Sequence, residues 1–239
     1  MTLRKYIPDL ITSMNLVCGL IGVVFALRSR LDLAFICMLA AAVFDFLDGT
    51  AARVLDAYSD LGKELDSLCD LVSFGVLPAL MLCFLMQTYR FDGSWICWLP
   101  LVLALFAALR LARFNVDPRQ KDGFLGLPVP AAGILCGALC SYCCHAPVEF
   151  LSTWVSGPVF IPLLAACLCI LMVCEVPMFS FKFHKGDARS LTVKRITLVA
   201  FILAAAVFCL VAKHHWSLAV LLGFVFYILN NLVYALFKL

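Results

Sequence analysis

The segment from Asp45 to Asp70, D-F-L-D-G-T-A-A-R-V-L-D-A-Y-S-D-L-G-K-E-L-D-S-L-C-D, sets carboxylates into a chain that has little room for them. Of the 239 residues, 64% are hydrophobic and 14% charged, against about 45–50% and about 25% in a soluble domain. Such a composition marks an integral membrane protein. Acidic side chains are costly at membrane depth, so those that occur there usually mark a site. Asp45 and Asp48 stand three apart and Asp66 and Asp70 four apart, so each pair shares one face of its helix. Four converging carboxylates repel one another unless cations sit between them.

Apolar runs near residues 7–27, 31–52, 64–86, 95–114, 127–145, 158–178, 195–212 and 216–237 each approach the roughly 20 residues that cross a bilayer as a helix. The expectation is an all-α integral membrane protein with eight transmembrane helices, forming a single domain over residues 1–239. With the N-terminus inside, 14 of the 18 Lys and Arg residues fall on one side, and only Arg28, Arg30, Arg90 and Lys213 on the other. That bias places both termini in the cytoplasm. Both acidic pairs then lie near the cytoplasmic rim, facing one shallow cavity. The first run carries Asn15 and Gly19 and has no small-residue cleavage site near its end, so it reads as a membrane helix and not a signal peptide.

The net charge of +3 is slight and the basic residues fall in short clusters between apolar runs, which gives no reason to expect a nucleic-acid partner. The thirteen cysteines lie mostly inside apolar runs, and the C-x-x-C at Cys140–Cys143 has no second ligand pair at zinc spacing. They read as small packing residues. Asp56 and Asp60 read as helix-end acids.

Oxygen-rich carboxylate sites suit hard divalent cations such as Mg²⁺, Mn²⁺ or Ca²⁺. Paired metals on shared carboxylates are a recurrent device for phosphoryl chemistry. Gly49 beside Asp48, and Gly62 at the entry of the third helix, remove Cβ atoms where a ligand or backbone approaches closely. Ala52 leaves room on the same face. Arg110 and Arg113, three apart on the fourth helix, present guanidinium groups able to hold a carboxylate or phosphate. Snorkelling anchorage is the alternative for that pair. Lys182, Lys185 and Arg189 either cover a nucleotide or contact anionic lipid.

Asp45-x-x-Asp48-Gly49-x-x-Ala52-Arg53, eight residues, then Gly62-x-x-x-Asp66-x-x-x-Asp70 resembles the motif of the CDP-alcohol phosphatidyltransferases, with every fixed position present. The resemblance implies that family's fold and the displacement of CMP from a CDP-linked lipid or alcohol by a hydroxyl. It implies two divalent cations, Mg²⁺ or Mn²⁺, at Asp45, Asp48, Asp66 and Asp70, with Asp70 also the general base. Nucleotide contacts are expected at Pro8, Thr12, Asn15, Gly49, Ala52, Arg53 and Gly62. The opening Pro8-Asp9-x-x-Thr12-x-x-Asn15-x-x-x-Gly19 resembles that of bacterial and archaeal integral-membrane phosphatidylserine synthases, although Asp9 replaces the more usual Asn. So do Asp70-Leu-Val-Ser73-Phe74-Gly75, Arg110-Leu-Ala-Arg113-Phe114-Asn115 and Phe124-Leu-Gly126-Leu-Pro128. Cys174-Glu175 departs from the Ser-containing stretch of that group.

This second resemblance implies CDP-diacylglycerol and L-serine as substrates, with Ser73, Arg110, Arg113 and Asn115 at the serine or phosphate pocket, the alternative for Asn115 being that it merely ends the fourth helix. It also implies a homodimer in the inner (cytoplasmic) membrane with the site facing the cytoplasm. The alternatives are another acceptor (glycerol 3-phosphate or inositol phosphate), an ether-lipid donor, or a divalent-cation carrier. Against the carrier, the acids sit near one membrane face and no inverted repeat shows.

Overall fold

The computed structural model describes residues 6–89, 95–117, 124–145, 159–178 and 189–237. Among these, the chain is helical apart from one antiparallel pair of two-residue strands, β1 (Phe124–Leu125) and β2 (Pro177–Met178). The helices are α1 (Tyr6–Leu27), α2 (Leu31–Val54), α3 (Asp60–Asp70), α4 (Leu77–Tyr89), α5 (Val102–Val116), α6 (Val129–His145), α7 (Phe160–Val173), α8 (Arg189–Val211) and α9 (Ser217–Phe237). Four helical runs are long and apolar enough to cross a bilayer: Tyr6–Leu27, Asp60–Thr88, Trp95–Val116 and Ser217–Ala235. Shorter apolar helices occupy Val129–His145, Phe160–Val173 and Ile196–Val211. The protein is therefore a multi-pass membrane protein, and α2 carries the first acidic pair.

The buried residues of α1 are Pro8, Thr12, Asn15, Gly19, Gly22 and Ala26, spaced alternately four and three apart. That is one face of a helix, and it is small or polar. The opposite face exposes Leu10, Met14, Val17, Leu20, Ile21 and Val24, an apolar surface suited to lipid tails. The small face lets α1 lie close along α2 and against α3 and α4.

The third apolar run begins earlier than the sequence suggested. Ser59 caps α3, its Oγ accepting from the Gly62 N–H at 2.9 Å. Asp60 follows in the first turn, where a carboxylate meets the positive end of the helix. Beyond Asp70 the ladder widens into a π-helical segment at Leu71–Val76 before α4 resumes. Two local causes coincide there. Pro78 has no N–H to return to Phe74, and the Phe74 carbonyl lies against Gly133, where a Cβ would come within 2.7 Å of it. A proline also sits inside the 3₁₀ segment Trp95–Leu101 that leads into α5.

The core is built around α6, whose buried residues include Ala131, Ala132, Gly133, Cys136, Gly137, Ala138 and Cys140. Small side chains of this kind let neighbouring helices approach closely. Phe35 and Met38 of α2 fill the space left at Gly137. All thirteen cysteines are unpaired, and most are buried among apolar neighbours.

Long-range contacts mark two ends of the bundle. At one, Asn15 meets Asp70, Asn115 meets Ser67, Arg113 meets Val173, and β1 pairs with β2. At the other, Phe35 stacks on Trp216 and His145 on His215. The sixth apolar run ends at Val173, earlier than expected, because the chain leaves the helix to form β2. Gly126 makes the turn after β1 with φ +77, and a Cβ there would meet the Met172 carbonyl oxygen at 2.6 Å. Only glycine meets both demands without strain.

Candidate active site

The C-terminal part of α2 and the short helix α3 lie at the same end of the bundle. Asp45, Asp48 and Asp66 there bring one carboxylate oxygen each within 4.8 Å of the others. Asp48 is buried, and its Oδ2 has no hydrogen-bond partner among the described residues. The Thr12 hydroxyl, which donates to the Pro8 carbonyl at 3.0 Å, stands beside Asp48. Like charges held this close are unfavourable without a counter-ion. A buried, unsatisfied carboxylate oxygen in an all-oxygen donor set fits a hard divalent cation. The triad can hold a metal.

Asp70 lies one helical turn beyond Asp66, buried, and within electrostatic range of Asp45, Asp66 and Asp48. It stands outside the tight triad. Its Oδ1 accepts from the Asn15 side-chain amide at 3.1 Å, so an α1 residue orients it. Asn15 is itself held from the other side, its carbonyl accepting from Ser73 Oγ at 3.2 Å. Ser73 is fully buried against Gly19. It supports the site from behind and does not line the cavity between α5 and α7.

The remaining nucleotide-site candidates separate by environment. At Gly49, no atom of the described residues lies within 4 Å of where a Cβ would be. Arg53 folds back so that Nε donates to the Gly49 carbonyl at 2.8 Å. Ala52 is half-buried on the same turn, and Pro8 is buried at the start of α1. At Gly62 the missing Cβ is taken up by protein: Asp9 Oδ1 and Ser59 Oγ would each lie 2.9 Å from it. Asp9 thus adjoins the entry of α3, a neighbour no spacing rule could reveal.

Arg110 and Arg113 line a cavity of about 320 Å³ between the ends of α5 and α7, together with Asp117 and Glu175. Arg110 is buried, its guanidinium carbon 4.9 Å from the centre of the Phe114 ring, a cation–π arrangement. It is also within electrostatic range of Asp70 and of Tyr227. Arg113 is exposed, and its Nη1 points to the Val173 carbonyl at 3.4 Å. Asn115 lies apart from the cavity. Its Nδ2 donates to Ser67 Oγ at 2.9 Å, and its carbonyl accepts from Lys63 Nζ at 3.0 Å, tying α5 to α3.

Sequence reasoning missed Tyr227, a fully buried side chain on α9, and Asn231, whose Nδ2 donates to the Tyr227 carbonyl at 2.8 Å. Polar side chains in an otherwise apolar final helix were the available signal. Lys182 and Lys185 lie outside the described residues, as does the side chain of Arg189.

The model of the CDP-alcohol phosphatidyltransferase family matches residues 5–162. Among curated relatives, the CDP-diacylglycerol–serine O-phosphatidyltransferase of Bacillus subtilis (strain 168) is 33% identical over 184 residues, covering 77% of this chain and 95% of that protein. The protein of the same name from Mycobacterium tuberculosis (strain ATCC 25618 / H37Rv) is 34% identical, covering 73% of this chain and 61% of that one. Its namesake from Methanocaldococcus jannaschii is 37% identical over 141 residues, covering 58% and 63%. The chain belongs to the CDP-alcohol phosphatidyltransferase family. It spans almost the whole Bacillus protein but less than two thirds of the mycobacterial and archaeal ones.

Proposed function

We propose that this enzyme transfers the phosphatidyl group of CDP-diacylglycerol to the hydroxyl of L-serine, giving phosphatidylserine and CMP. The observation that carries the reading is the carboxylate triad of Asp45, Asp48 and Asp66 with Asp70 held beside it by Asn15. The relatives named for this reaction support the choice of donor and acceptor.

Two divalent cations, Mg²⁺ or Mn²⁺, held by Asp45, Asp48, Asp66 and Asp70, would neutralise the diphosphate and the charge that develops on departing CMP. The chain's own groups supply the rest. Gly49, open on its outer side, lets the nucleotide approach the α2 backbone, and Arg53 offers a charge at the same rim. Thr12 and Pro8 buttress Asp48. Asn15 holds one oxygen of Asp70, so the carboxylate is aimed when serine arrives. Asp70 takes the proton from the serine hydroxyl. The serine oxygen forms a bond to the phosphorus that bears diacylglycerol, the bond from that phosphorus to CMP breaks, and CMP leaves.

The accompanying topology is eight crossings, α2 included, with both termini and the acidic site on the cytoplasmic side of the inner membrane. The segregation of basic residues supports it. The whole chain is read as one domain that works as a homodimer, a reading supported by the family resemblance.

The test is an acceptor panel. Purified protein receives CDP-diacylglycerol with serine, glycerol 3-phosphate or inositol phosphate, and CMP is measured with and without Mg²⁺ or Mn²⁺. CMP release is expected with serine and divalent cation together. Release with a phosphorylated acceptor alone would replace serine as the substrate. Cation flux into liposomes without CMP release would remove the enzymatic reading altogether.

A further inference from the structure

Among the described residues, four of those around the α5–α7 cavity are charged, and they balance. Arg110 and Arg113 contribute two positive charges, Asp117 and Glu175 two negative ones. Described lining residues that sum to no net formal charge are poorly suited to a phosphorylated acceptor, which carries about two negative charges near neutral pH. They complement a small zwitterion, whose carboxylate pairs with guanidinium and whose ammonium pairs with carboxylate. The cavity volume of about 320 Å³ falls in the range of small-molecule sites. Met172 and Val173 add an apolar wall.

Position links the cavity to the chemistry. Arg110 lines it and is also within electrostatic range of Asp70. An amino acid held there by its carboxylate thus shares Arg110 with the proposed base. Asp117 is the residue that ends α5, its N–H bonded to the Arg113 carbonyl at 2.9 Å. Glu175 follows the Val173 carbonyl to which Arg113 points. Both acids are therefore attached to backbone fixed near Arg113.

We infer that the Asp117 and Glu175 carboxylates form the subsite for the α-ammonium group of the acceptor, and so select a free amino acid over hydroxy acids and phosphorylated alcohols. The inference rests on the proposed serine reaction and adds to it the residues that read the amino group. Charged hydrogen-bonding groups in a site discriminate strongly against an analogue that lacks the partner.

The experiment compares L-serine with 3-hydroxypropionate, which keeps the hydroxyl and carboxylate but has no amino group. CMP release from CDP-diacylglycerol is followed for wild type, Asp117→Asn, Glu175→Gln, the double variant and Glu175→Asp. Wild type is expected to prefer serine strongly in kcat/KM. The double variant should lower that preference about tenfold or more, mainly through the KM for serine, with the KM for CDP-diacylglycerol unchanged. Glu175→Asp should keep more of the preference than Glu175→Gln. Because the preference is a ratio within one preparation, partial misfolding cancels. An unchanged ratio in an active double variant would overturn this inference and leave the serine reaction standing. A wild type that releases CMP with neither acceptor would overturn both.

Discussion

The side-chain amide of Asn15 donates to Asp70 Oδ1 at 3.1 Å, joining α1 to α3 across 55 positions of sequence. Groups that orient a reactive or ligating side chain in this way cost about 10–100-fold in metal affinity or activity when removed. Asn15→Leu should therefore lower kcat by about that factor and leave the KM for CDP-diacylglycerol nearly unchanged. Steady-state CMP release checks it. An equal loss in kcat and in donor binding would mean that Asn15 touches the nucleotide instead.

The acidic cluster makes opposite demands with and without metal. In chelator the carboxylates repel, so Asp48→Asn should unfold at a higher temperature than wild type. With Mg²⁺ or Mn²⁺ the order should reverse, because wild type keeps the better site and gains stability from the bound ion. Thermal unfolding in detergent under the two conditions shows the crossing. The same order in both conditions would argue against a cation at Asp48.

Gly19 has no side chain because Ser73 occupies the space, and a Cβ there would collide with Ser73 Oγ. Gly19→Ala should destabilise the protein by about 1–3 kcal/mol, the usual cost of overpacking. It should also reduce turnover, since Ser73 supports the Asn15 carbonyl. Adding Ser73→Ala removes the nearest colliding atom and should restore part of the stability but not the turnover. Denaturation curves and CMP release on the single and double variants separate the two effects.

Away from the acids, the His215 imidazole in the turn before α9 is held below its ordinary value of 6.5, first by burial and then by neighbouring His145, while Asp32 pulls it upward. A lowered histidine pKa means that the unfolded chain binds the proton more readily. The stability is thus complete above about pH 6.5 and is lost as pH falls through the folded value. His145 stacks on the same ring, with the two centroids 4.0 Å apart. His215→Asn should flatten the acid limb of a melting-temperature profile between about pH 5 and 7 and leave the limb above pH 7 unmoved.

The acidic motif was legible because its four residues repeat at helical spacing within a single stretch of chain. Arg110 and Arg113 were legible for the same reason. What spacing could not supply was the partner across space. Asn15 was expected near the nucleotide and is found on Asp70. Asn115 was expected to complete the acceptor pocket or to end its helix; it is the penultimate residue of α5, and its amide is found on Ser67. Gly62 was expected to clear room for a ligand or for backbone, and the groups that approach it are the Asp9 and Ser59 side chains. In each case the residue type was informative and the neighbour depended on how α1, α3 and α5 pack. The strand pair escaped notice because two residues show no period, and β1 is bonded to a segment more than 50 positions away. Tyr227 lies within electrostatic range of Arg110 from the last helix, where hydropathy alone shows only another oily run.

The π-helical stretch at Leu71–Val76 separates two duties that a straight helix would have to share. A wide turn of this kind takes up one surplus residue, and each residue advances an ordinary helix by about 100°. The acid-bearing half and the oily half of the Asp60–Thr88 rod are thereby clocked independently. Excising one residue from the stretch would swing Phe74 off Gly133, or else drag Asp66 and Asp70 away from their counterparts on α2. Substitutions that retune how the rod seats against α6 can thus accumulate below the bulge without disturbing the carboxylates above it.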